Sequence, residues 1–101
     1  MKQPVHKLRV PDDVAELIRK MHPYLKKKIK SSLQIILSDP GSGKALKDEL
    51  AGLRSFHVSR FRIIYRVLPK KDIEIIAIGP RERIYESTFW ILNKEDDSVN
   101  K

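Results

Sequence analysis

The sequence predicts an α+β fold, with an N-terminal helical hairpin packed on a small, twisted, mostly antiparallel sheet and a short C-terminal helix. Three observations predict it. Apolar residues recur at helical spacing from Val14 to Leu37, the period changes to two between Phe56 and Val67, and Ile73 to Ile78 is nearly all apolar.

Val5 to Val10 alternates Val5, Lys7 and Arg9 with His6, Leu8 and Val10, which suits a short strand. Pro11-Asp12-Asp13 reads as a helix opening, because proline fits the first turn and carboxylates there oppose the helix dipole. Val14, Leu17, Ile18 and Met21 then mark one face of a first helix, which Pro23 punctuates. Leu25, Ile29, Leu33, Ile36 and Leu37 mark a second, stopped by Asp39-Pro40-Gly41. So short a connection predicts an antiparallel helical hairpin. Residues 41 to 52 read as a loop with a helical turn at Lys44 to Leu50.

Beyond it, Phe56, Val58, Phe61, Ile63, Tyr65 and Val67 alternate with Ser55, His57, Arg62, Ile64 and Arg66, predicting a β-hairpin that turns at Ser59-Arg60. A two-residue turn pairs Val58 with Phe61 and His57 with Arg62, their Cβ atoms ~5 Å apart. The apolar set then faces the helices. His57, Arg62 and Arg66 share the opposite face, which predicts an anion-binding surface. Ile73 to Ile78 reads as a central strand buried on both faces and ended by Gly79-Pro80. Ile84 to Leu92 predicts the terminal helix, with Tyr85, Phe89 and Leu92 on one side, so that residues 1–93 form one domain and 94–101 a fraying polar tail.

The chain has 101 residues, 21 basic and 13 acidic, for a formal net charge of +8. That length bounds a single domain, and 41% hydrophobic residues suffice for one core. No cysteine is present, which excludes disulfides, thiol catalysis and Cys-based zinc sites. No apolar run reaches membrane-spanning length and the start has no signal-like apolar region, so a cytoplasmic protein without a membrane partner is expected. The charge is uneven. Arg19 to Lys30 and Arg54 to Arg66 contain no acid, which favours an anionic partner, either nucleic acid or an acidic protein.

Gly41-Ser42-Gly43-Lys44 is not a phosphate-binding P-loop: Ser38 stands at the first glycine position and Ala45 where the hydroxyl is needed. His6, His22 and His57 are too scattered for a metal site. For His57 the neighbouring Arg62 cation is expected to lower the imidazole pKa and leave a ring able to exchange protons. Arg81 and Arg83, following a strand that ends in glycine, are placed to grip a phosphate. Tyr85 can stack on a base, transfer a proton or cap the core.

The run Leu53 to Tyr65, followed by Ile73 to Gly79, Arg81 and Tyr85, resembles the RelE/ParE superfamily of toxins of type II toxin–antitoxin systems. The pattern is a basic and apolar hairpin, then aromatic-Arg-apolar-apolar-Tyr, then a hydrophobic strand ending Gly-x-Arg and a later tyrosine. The resemblance implies a ribosome-dependent endoribonuclease, an mRNA interferase that needs no metal or cofactor. In that chemistry the ribose 2′-hydroxyl attacks the adjacent phosphate. Carried over by position, Arg62 and Arg81 clamp the phosphate, His57 transfers a proton, and Tyr85 stacks on a base or transfers a proton. Ser55 and His57 depart from positions that are basic in many RelE-type toxins. Lys26, Lys27 and Lys30 on the second helix, with Arg54, Arg60, Arg66 and Arg83, are the expected RNA contacts.

Two other functions fit the same residues. ParE-type toxins of this fold inhibit DNA gyrase, and a basic binding module would bind without cutting. Low aromatic content, with Phe56, Phe61 and Tyr65 mostly on the core face, argues against a stacking platform for single strands. The resemblance further implies an acidic antitoxin protein as cognate partner, with mRNA and ribosomal RNA as the targets.

Overall fold

The computed structural model describes residues 7–70 and 72–99. Strand β1 (Leu8–Arg9) leads into α1 (Asp12–Arg19) and α2 (Pro23–Ser38). Then follow β2 (Lys44–Ala45), β3 (Arg54–Val58), β4 (Phe61–Val67), β5 (Ile73–Pro80) and α3 (Ile84–Val99). The sheet order is β1-β5-β4-β3-β2, antiparallel except for β1, which pairs with β5 in parallel. Of the strand read over Val5 to Val10, Val5 and His6 lie outside the described residues. Among those described, no helix is long and apolar enough to cross a membrane.

Helix α1 opens at Pro11 with Asp12 and Asp13 in its first turn, and α2 opens at His22, whose Nδ1 accepts from the Tyr24 N–H at 3.2 Å. These satisfy or offset the donors left over at a helix start. Val14, Ile18, Ile29, Leu33 and Ile36 pack against Val58, Ile63, Tyr65, Ile73, Ile75 and Ile78, forming the main core on one face of the sheet. The β3–β4 register pairs Val58 with Phe61 and His57 with Arg62, as the two-residue turn predicts. Ser59 alone in that turn has a positive φ, 54°, which matches a type II′ hairpin.

Three expectations change. Residues 40–52 hold two 3-10 turns, Pro40–Ser42 and Asp48–Leu50, separated by β2, which extends the sheet beside β3. Buried Tyr65 organises this segment: its hydroxyl donates to the Pro40 carbonyl at 2.7 Å and accepts from the Gly43 N–H at 2.9 Å. A Cβ at Gly43 would sit 2.6 Å from that hydroxyl, so only glycine fits. The terminal helix is also longer than read. It continues through residues 94–99, where no proline or glycine interrupts it.

The third change concerns the second sheet face. It is covered across its middle by α3, where Ile84 packs with Leu53, Ile64, Ile76 and Ala77 in a smaller cluster. A register shift beside Ile64/Tyr65 skips Ile76, putting Ile76 and Ala77 together under that helix. Gly79 permits the approach, since an added Cβ there would lie 3.0 Å from Ile84 Cδ1.

Candidate active site

Anchoring Ile84 on β5 fixes the next residue, Tyr85, over the β3 end of the sheet. Its hydroxyl lies 3.2 Å from Ser55 Oγ on β3. The Arg62 guanidinium of β4, whose Nη1 donates to the Phe61 carbonyl at 3.4 Å, and Lys44 of β2 place two positive charges near this hydroxyl. Hydrogen bonding to Ser55 is the main reason the phenol ionises below its ordinary range, with Arg62 and Lys44 adding to that effect against the opposing effect of burial. Ser55 is buried, Arg62 half-buried, and Tyr85 37% exposed, so the cluster opens to solvent on one side. A hydroxyl pair flanked by two cations can bind an anion and exchange a proton with it.

His57 stands directly across the strand pair from Arg62 and is exposed. Its Nε2–H donates to the Ser59 carbonyl at 2.5 Å. A carbonyl only accepts, so this contact fixes the proton on Nε2 and leaves Nδ1 as the basic nitrogen of the neutral ring. Arg81 is exposed, and its N–H donates to the Arg60 carbonyl at 2.9 Å. That bond brings the turn before α3 against the tip of the β3–β4 hairpin. The backbone of Arg81 therefore lies beside that of Arg60 at the hairpin tip, near His57 in sequence and register.

Other expected RNA contacts are placed differently. Arg66 shares the face of Arg62, but Glu74, its partner across β5, accepts from its Nε at 2.6 Å. Arg54 donates to the carbonyls of Gly43 at 2.5 Å and Gly41 at 3.4 Å, so it braces the loop before β2. Arg83 lines a groove with Asp13 and Leu17 of α1, beside the far edge of β5. Lys26, Lys27 and Lys30 belong to α2, which packs on the other sheet face. These residues do not join the Tyr85 cluster.

The sequence reading missed Lys44. It stands opposite Ser55 in the β2–β3 register, and a two-residue strand leaves no periodicity to find. The only signal was a lysine after two glycines, which resembles a loop. Among the described residues, no cluster of three or more His, Asp or Glu could hold a metal.

Residues 8–85 match the family model described as ParE toxin of type II toxin-antitoxin system, parDE. The fold resembles the RelBE2 toxin–antitoxin complex of Mycobacterium tuberculosis, with TM-score 0.67 and 21% identity over 76% of this chain and 99% of that one. It also resembles a free E. coli RelE variant, with TM-score 0.69 and 16% identity over 90% and 97%. A third similar structure is the YoeB–YefM complex of Staphylococcus aureus, with TM-score 0.61 and 20% identity over 73% and 94%. No curated protein matches the sequence.

Proposed function

This chain belongs to the RelE/ParE superfamily of type II toxin–antitoxin toxins, and from that premise we propose that it is an mRNA endoribonuclease acting on the ribosome. The observation that carries the reading is the convergence of Ser55, Arg62 and Tyr85 on one solvent-open cluster. In the proposed reaction the ribose 2′-oxygen attacks the adjacent phosphorus, and the bond to the 5′-oxygen of the next nucleotide breaks. A 2′,3′-cyclic phosphate and a 5′-hydroxyl result.

Tyr85 takes the 2′-hydroxyl proton, a role favoured by the Ser55 hydroxyl and then the cations that lower its pKa. Arg62 meets the charge developing on the phosphorane, and Arg81 closes on it from the adjoining turn. His57, protonated at Nδ1, returns a proton to the departing 5′-oxygen. Its tie to Ser59 orients the ring for this role. The α2 lysines, on the opposite side of the sheet, bind the ribosomal RNA backbone by charge rather than taking part in the chemistry. An acidic antitoxin neutralises the basic surface until it is removed. The RelE and YoeB structures solved with RelB and YefM support a protein partner of that kind.

Gyrase inhibition is the second reading, and the match of residues 8–85 to the ParE model favours it. Paired assays separate the two. Mapping mRNA ends on translating ribosomes should reveal new 5′-hydroxyl ends with wild-type protein, while gyrase supercoiling proceeds unimpaired. Intact mRNA together with blocked supercoiling would replace the first reading by the second.

A further inference from the structure

Beside the Tyr85 cluster a second concavity opens, about 420 Å³, bounded by Lys44, Leu46, Lys47, Asp48, Leu50 and the Tyr85 ring. Its size falls in the usual ~300–1,000 Å³ span of small-ligand sites. Its lining offers aliphatic side chains and Tyr85 to a base and two exposed lysines to a phosphate, with Asp48 the one carboxylate. Asp48 holds a left-handed backbone, φ 58°, which a non-glycine residue adopts at a cost and which is often retained beside binding sites.

The wall is also fixed rather than loose. Tyr65 and Arg54 together hold the carbonyls and N–H of residues 40–43, which deliver Lys44 to its register opposite Ser55. Lys44 and Arg62 thus approach the Ser55–Tyr85 hydroxyl pair from different strands, β2 and β4. Neither makes an ion pair with a described carboxylate. Although Asp48 lines the same concavity, these two cations are left unpaired on either side of the hydroxyl pair, which suits two successive phosphates of one strand.

We propose that Lys44 is a further phosphate-binding residue of this site, gripping the phosphate next to the scissile one while its nucleotide sits between β2 and Tyr85. The inference rests on the nuclease reading and deepens it. Lys44 acts by contact with substrate, and its charge also bears on Tyr85, which faces Ser55, Arg62, Lys47 and Asp48 as well.

The experiment uses short synthetic mRNAs on ribosomes and single-turnover cutting by wild type, K44A and K44R, each shown by urea unfolding to be equally stable. Loss of one charged contact predicts that K44A cuts about ten- to a hundredfold more slowly, with K44R recovering most of the rate. When the neighbouring phosphate is replaced by an uncharged methylphosphonate, most of the K44A penalty should disappear.

Equal rates for wild type and K44A on the charged mRNA, or a K44A penalty of undiminished size on the methylphosphonate, would overturn the inference while wild-type cutting upholds the nuclease reading. Failure of wild type to cut any mRNA would remove the nuclease reading and this inference with it.

Discussion

Arg62 and Arg66 occupy the same strand and the same sheet face, four residues apart, on either side of the small cluster that α3 makes with Ile64. Across from Arg66, β5 places Glu74, which binds the guanidinium. Across from Arg62 it places Gly79, which has no side chain and lets the start of α3 settle close by. One end of the face is therefore neutralised, while the other keeps a cation without an ion-pair partner among the described residues. An arginine's role here is decided by its cross-strand neighbour, and the boundary between the two ends is the apolar seat of α3.

Removing that boundary should have the largest effect. Ile64→Ala, at a fully buried position, is expected to cost about 4 kcal/mol by cavity formation, seen as a lower urea midpoint, and to release α3 together with Tyr85. Arg62→Gln should leave unfolding nearly unchanged but slow mRNA cutting by about 10²–10³, roughly 3–4 kcal/mol of transition-state stabilisation. Cutting at the wild-type rate would place the chemistry elsewhere on the molecule.

Tyr65→Phe tests how the free end is assembled. It strips the Gly43 N–H and Pro40 carbonyl of their shared partner and should cost about 2 kcal/mol, with faster hydrogen exchange at Gly43. Arg66→Ala, at the neutralised end, should cost less than about 1 kcal/mol because its pair with Glu74 is partly exposed, and cutting should stay at the wild-type level. A large loss of cutting in this variant would abolish the distinction between the two ends.

The smallest effect concerns pH. The Tyr85 midpoint is depressed in the fold relative to 10.0, so the phenolate is the form that folding favours. Its contribution to stability is fully present above pH 10, declines as pH falls towards the depressed midpoint, and is absent below it. Comparing wild type with Tyr85→Phe in urea across that alkaline window should show the difference growing with pH. An opposite trend would mean that the Ser55 hydrogen bond, with Arg62 and Lys44, does not favour the phenolate.

Much of this was legible in the residues. The helical spacing of Val14 to Leu37, the alternation from Phe56 to Val67 and the Ser59-Arg60 turn determined two helices, a hairpin and its register, because each is a local pattern with one period. The pairing of His57 with Arg62 followed from turn length alone. The extension of α3 to Val99 was obscured by polarity, since helix propensity continues where amphipathicity fades.

The sequence by itself determined the α+β class, the face shared by His57, Arg62 and Arg66, and the excess of positive charge. Only tertiary structure decided which cations remain available. Arg54, Arg66 and Lys44 look alike along the chain, yet one braces a loop, one is neutralised and one stands beside Tyr85. Periodicity fixes the side of a strand on which a residue projects. It does not fix what the next strand or helix brings against it, and in this protein that partner, distant in sequence, separates an arginine held by a carboxylate from one left without such a partner.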